Sequence, residues 1–132
     1  MEKMKNLLVL LVVSFCLLSF GMILQDAWVV PDKYKTMKNP TDPKEDLNIG
    51  KSLYAKHCQS CHGKEGYGDG KKANEVEGDL GDFSSAEFQS QTDGELFYKS
   101  YIGRNDMPNF EKKLPDEEDV WLIVNYMRTL AE

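Results

Sequence analysis

Histidine and cysteine are both scarce in this 132-residue chain: His57 and His62 are the only histidines, and Cys16, Cys58 and Cys61 the only cysteines. Cys16 falls inside an apolar N-terminal run, so one pair remains for the folded part, which excludes a disulfide framework. A closed zinc site is excluded as well, because it needs a second cysteine pair or more histidines. β-Branched residues are few after the N-terminal run, so strand signals are weak. The βαβ context that a thioredoxin-type thiol pair requires is therefore missing. No acid, base or nucleophile constellation points to catalysis. The formal net charge is −6, which argues against nucleic acid, whose phosphates call for clustered Lys and Arg. That acidity suits a domain docking on a basic patch, and equally suits plain solubility.

Lys3 and Lys5 precede an apolar stretch from Leu7 to Leu24 that is interrupted only by Ser14, Ser19 and Gly21. A positive n-region, an apolar h-region and small residues near the end describe a secretory signal peptide. At about 18 residues the stretch also reaches the lower limit for a membrane span. Residues 1–25 are thus a signal peptide or a membrane anchor, with cleavage near Gly21 favoured and retention open. Cys16 is a poor lipoprotein site, since bulky Phe15 precedes it in mid-run. On either reading the folded part lies outside the cytoplasm, in the periplasm or on the outer face of the inner membrane.

Residues 26–45 carry Pro31, Pro40 and Pro43 among alternating Lys and Asp. Prolines at that density are expected to prevent a helix, giving an extended linker or an arm lying on the domain. Trp28, Val29 and Val30 either pack on the domain or rest at a membrane surface. The remaining domain, 46–132, is under a hundred residues, and a domain that short needs a metal, a cofactor or disulfides to be comfortably stable.

Three main helices are expected within it. The first starts near Asn48, read as the N-cap, and runs to about His57. Gly50 costs helix propensity and so signals a close helix contact. Glycines at 63, 66, 68, 70, 78 and 81 mark a long loop region. Thr92-Asp93-Gly94-Glu95 fits a capping box that opens an amphipathic helix ending at Gly103. Pro115 and the acidic run Asp116 to Asp119 open the last helix, whose apolar face holds Val120, Trp121, Ile123, Val124, Met127 and Leu130. There is no internal repeat.

Cys58-Gln59-Ser60-Cys61-His62 carries the chemistry. At the end of a helix the two thiols project to one side, a turn apart. Each is placed to add to one vinyl group of a haem, and His62 then supplies an axial nitrogen. The C-x-x-C-H run is specific for c-type haem attachment. An electron-carrying iron needs a sixth ligand, and His57, beside Cys58, cannot reach the opposite face. Met107 lies well downstream in a loop, and Pro108 restricts its backbone. Its thioether suits a distal ligand, and His/Met ligation raises the reduction potential. A buried Met is commonly core filler, as Met37 and Met127 illustrate, but loop position favours Met107 as ligand.

Gly66, Gly68 and Gly70 lack the strand–turn–helix context of a nucleotide site, and either wrap the haem edge or give plain flexibility. Glu75, Glu77, Asp79 and Asp82 match no calcium loop and are read as solvated surface. Trp121 is core or haem packing, and Arg104 is a propionate partner or a surface residue.

With these residues in place, the chain resembles the class I cytochromes c, and especially the small bacterial branch related to the cytochrome subunits of cbb3-type oxidases. The matching stretches are Gly50-x-x-x-Tyr54-x-x-x-Cys58-x-x-Cys61-His62-Gly63, Gly66-x-Gly68-Asp69-Gly70, Asp82-Phe83, Met107-Pro108-x-Phe110 and Ile123-x-x-Tyr126. They span about Leu47 to Leu130. The resemblance implies an all-α fold around one covalent haem c, with Gly50 and Tyr54 crossing against Ile123 and Tyr126. It implies a one-electron carrier, not an enzyme, whose partners are redox proteins such as a respiratory complex or oxidase. One departure stands out. Many family members have a proline after the haem motif whose carbonyl accepts a hydrogen bond from the axial histidine. No proline lies between His62 and Met107 here, so another carbonyl or a water must take that part.

Overall fold

The computed structural model describes residues 27–131; the leader read over 1–25 lies outside them, and the arm is described from residue 27 onward. In chain order the helices are α1 (Asp32–Lys35), α2 (Leu47–His57), α3 (Gln59–His62), α4 (Ala86–Gln89), α5 (Asp93–Ile102) and α6 (Glu117–Arg128), with a 3-10 turn at Ala73–Glu75. No strand occurs among the described residues; Arg104 and Met107 form an isolated antiparallel bridge. The domain is all-α, and its three long helices, α2, α5 and α6, are those the sequence leads one to expect.

The cap chemistry largely fixes where these helices begin. At α5 the Thr92 hydroxyl accepts from Glu95 N at 3.2 Å and the Glu95 carboxylate accepts from Thr92 N at 2.8 Å, a complete capping box. At α6 the Asp116 carboxylate accepts from Glu118 N at 3.0 Å, and three acidic residues occupy the positive end of the helix. Asn48 is not the N-cap of α2. The helix begins at Leu47, because the Asp46 carbonyl already accepts from Ile49 N at 2.8 Å and Gly50 N at 3.1 Å.

α2 and α6 cross at close range. A Cβ on Gly50 would lie 2.1 Å from the Leu122 carbonyl oxygen and 3.3 Å from Tyr126 Cβ. Tyr54 meets the Tyr126 ring one turn further on, with centroids 5.1 Å apart. The crossing is the expected one, with Leu122 rather than Ile123 against Gly50. Ile123 and Val124 instead fill the core with Phe97 and Trp121, whose rings stack at 4.2 Å. Gly50→Ala is expected to cost about 2–3 kcal/mol, because backbone must retreat from the new methyl. A denaturant melt should show a lower midpoint at unchanged slope; an unchanged midpoint would mean that the crossing is loose.

The arm does contain helix, contrary to the expectation from its prolines. Pro31 stands just before α1, where its missing N–H leaves no bond unmade, and its carbonyl accepts from Tyr34 N at 2.9 Å. The arm lies on the domain. Val30 is buried while Val29 is exposed, and Tyr34 packs its ring against Phe97 and Tyr98. Further along, buried Asn125 of α6 accepts from Asn39 Nδ2 at 2.7 Å and donates to Thr41 Oγ1 at 2.9 Å and to the Asp42 carbonyl at 3.2 Å. At the other end of α6, Arg128 donates to Asp93 and to the Gln89 and Gln91 carbonyls, tying α6 to the start of α5.

Candidate functional site

α2 ends at His57, Cys58 turns the chain, and α3 resumes at Gln59, so the C-x-x-C-H run occupies one compact helical turn. His62 N donates to the Cys58 carbonyl at 3.0 Å, and the chain leaves α3 at Gly63 with φ 84°. The glycine-rich stretch then folds back. Gly68 N, Gly70 N and Lys72 N donate to the carbonyls of His62, Cys61 and Ser60 at 2.9, 3.1 and 2.8 Å. These bonds satisfy the C-terminal carbonyls of α3 that no helical partner serves. A Cβ on Gly70 would stand 2.4 Å from the Ser60 carbonyl, which is why glycine is needed there. Gly68 and Gly70 thus buttress the motif from behind, while the Gly66 carbonyl accepts from Phe83 N at 2.8 Å. None of the three is among the residues lining the cavity beside the motif.

That cavity has a volume of about 570 Å³, and Cys58, Cys61, His62 and Met107 all line it. Much of its wall is apolar, built by Phe83, Phe88, Leu96, Phe110 and Met127. Charged side chains, among them Lys56, Lys72, Glu77, Asp79, Lys99 and Arg104, line it as well, so the cavity suits a bulky ligand with an apolar body and a charged edge.

His62 is buried, its ring lies 4.6 Å from that of Phe83, and its Nδ1 is 3.1 Å from the Leu80 carbonyl oxygen. A carbonyl only accepts, so Nδ1 carries the proton and Nε2 keeps its lone pair. Burial holds the imidazole below its ordinary pKa, against the smaller opposing effect of the Leu80 bond. His62 is therefore a neutral imidazole, oriented and ready to give Nε2 to a metal. Leu80 fills the part of the missing proline carbonyl. Sequence could require such an acceptor but not locate it, since Leu80 comes 18 residues later through Gly63, Gly66, Gly68 and Gly78, all with positive φ.

Burial, and secondarily the Cys61 charge, pushes the Cys58 thiol up to about 12. A redox-active C-x-x-C depends on a depressed thiol pKa, and the shift at Cys58 runs the other way. His57 is half-buried with its ring edge on Phe110 at 6.0 Å. Burial, with Lys56 and Lys113 adding to it, lowers its pKa.

Met107 is half-buried in the loop after α5, where its N–H donates to the Arg104 carbonyl at 2.9 Å. Of the two other methionines weighed for this place, Met127 lines the cavity from the core of α6, while Met37 packs near Gly94 in the arm and does not reach the cavity. Trp121 belongs to the core, 2% exposed and outside the cavity wall. Trp28 and Arg104 both line the cavity, the Arg104 guanidinium carbon lying 4.5 Å from the Trp28 ring centre. The acidic loop is spent on turns: Asp79 caps Gly81 N and Asp82 caps Ser84 N, at 2.8 and 2.9 Å.

Residues 45–127 match the family model described as cytochrome c oxidase, cbb3-type, subunit III. A solved chain of the reducing HAO-like protein complex of Kuenenia stuttgartiensis is similar in structure, with a TM-score of 0.59 and 32% identity over 73% of the present chain. The present chain spans about half of that one, 50% of its length. No curated protein matches.

Proposed function

The chain belongs to the family of cytochrome c oxidase, cbb3-type, subunit III, and from that premise we propose that it is a mono-haem one-electron carrier with His62 and Met107 as its axial ligands. The family implies haem c and electron transfer. The donor set supports the finer reading, since two thiols, a neutral imidazole and a thioether line one cavity of about 570 Å³. The observation that carries it is the His62 imidazole, buried and held by the Leu80 carbonyl so that Nε2 is left as its donor atom.

Cys58 and Cys61 would each hold the haem through a thioether bond made from the S–H and one vinyl group. His62 would give Nε2, its bond to Leu80 fixing the ring and strengthening the donor. Met107 would give its sulfur from a loop stiffened by Pro108. Phe83, Phe88, Leu96 and Phe110 supply apolar wall around the centre. Haem c held in this way would supply a ferric/ferrous couple that passes single electrons, while the protein supplies fixed ligands and that wall. Function in an extracytoplasmic respiratory chain follows from the leader read over 1–25. The partners are redox proteins; that the similar solved chain belongs to a complex supports this.

The test is a potentiometric titration of the matured protein with carbon monoxide added to the ferrous form. One reversible one-electron wave, a far-red ferric band of sulfur on iron and refusal of carbon monoxide are expected. Ready carbon monoxide uptake would replace the carrier with a sensor or a weak peroxidase.

A further inference from the structure

Trp28 precedes the residues 45–127 that define the family match, yet it lines the same cavity as His62 and Met107. The arm that carries it is firmly seated, by buried Val30 two residues on, by Tyr34 against Tyr98 at 4.6 Å, and by the Asn39–Asn125 bond. The Trp28 ring lies 4.5 Å from the Arg104 guanidinium carbon and 5.8 Å from the Lys99 ammonium nitrogen. Lys99 is in turn held by Gln91.

Arg104 belongs to the turn that presents Met107. Its carbonyl accepts from Met107 N at 2.9 Å, the two residues form the antiparallel bridge, and Asn105 between them takes a left-handed φ of 50°. The tip of this turn is tied from outside, the Asp106 carboxylate accepting from Glu77 N at 2.7 Å, and its base at Arg104 calls for a second hold, since short turns with few buried contacts open easily. An aromatic face under a guanidinium provides such a hold.

We propose that Trp28 is a positioning residue for Met107: by gripping Arg104 through a cation–π contact, the arm keeps the Met107 loop seated over the cavity. The grip slows departure of the sulfur from the iron and with it the entry of outside ligands. This rests on Met107 being the axial ligand.

The test mixes the ferric, full-length holoprotein with imidazole and follows uptake by stopped-flow absorbance. At saturating imidazole the rate reports loss of the sulfur. Trp28→Leu keeps apolar bulk but removes the aromatic face, and should raise that rate roughly three- to thirty-fold, the range such contacts span. Trp28→Phe keeps a face and should restore most of the slowness, which a mere filling role would not require. Arg104→Gln should accelerate uptake similarly, and the double variant no further than either single one. If W28L matches the unsubstituted rate with the far-red band intact, the grip is overturned alone. If the unsubstituted protein takes up imidazole as fast as Met107→Ala, the axial reading falls and takes the grip with it. Should W28L fail to mature, R104Q reads the same contact from its other side, and an unchanged rate there overturns the grip.

Discussion

Met107→Ala should abolish the far-red ferric band, open the ferrous iron to carbon monoxide and lower the reduction potential by on the order of 0.1 V or more. Axial-ligand identity commands a range of ~0.8 V, so this is the largest single lever the chain holds over its potential. The direction follows from softness. A thioether favours ferrous iron, and replacing it with water or an adventitious ligand returns the advantage to the ferric state. Alanine leaves space at the cavity wall, so stability should fall as well, by about 2–4 kcal/mol, the usual cost of truncating a methionine that packs on a core. Met107 is half-buried and packs against the core cluster that includes Phe110 and Leu114.

The informative control is Met127→Leu. Met127 also lines the cavity, but from the core of α6 and at 3% exposure. A nearly isosteric exchange there costs under about 1.5 kcal/mol and should keep the band and the potential. Loss of the band in M127L with its retention in M107A would reassign the sulfur ligand to α6. Loss in M107A alone leaves the loop methionine in place.

How much of this was legible without coordinates depends on the range of the interaction. The Thr92–Glu95 box joins residues three apart, and sequence finds it; at α6 sequence finds the acidic start but not that Asp116 is the cap. The start of α2 escapes it, because Asp46 caps with its backbone and adopts a left-handed φ of 55°, which no side-chain preference announces. Gly50 is an intermediate case. Its cost to the helix says that something approaches closely, and only the packed helices say that it is the Leu122 carbonyl. Two functional contacts are of long range, from Leu80 to His62 and from Trp28 to Arg104. The first is an acceptor that any residue type provides, so its identity leaves no trace in the chain. The second joins an aromatic to a basic residue across 76 positions of sequence, and nothing local links them. The glycine loop is a related case: its spacing shows that backbone comes close to something, and only the folded chain shows that Gly68 and Gly70 bond the carbonyls of His62 and Cys61.

Cys58→Ala with Cys61→Ala should yield a chain that retains no haem after denaturing extraction and that is largely unfolded as purified. The first result follows from the loss of both sulfur bonds. The second follows from the volume they secure. Without haem, Phe83, Phe88, Leu96, Phe110 and Met127 around a cavity of about 570 Å³ lose their packing partner, and a domain under a hundred residues has little other surface to bury. Far-UV circular dichroism should therefore show weak helicity and no cooperative melt. The double variant still keeps His62 with its Leu80 bond and Met107 with its loop, so added haemin should bind without covalent attachment and recover much of the helical signal. That recovery would place the stabilisation in cavity filling and axial ligation, with the thioether bonds acting to make retention permanent. A double variant that melts at the unsubstituted midpoint with no haem present would show that α2, α5 and α6 hold themselves together. The cavity would then be a binding site carved into a stable fold, not the centre around which the fold is built.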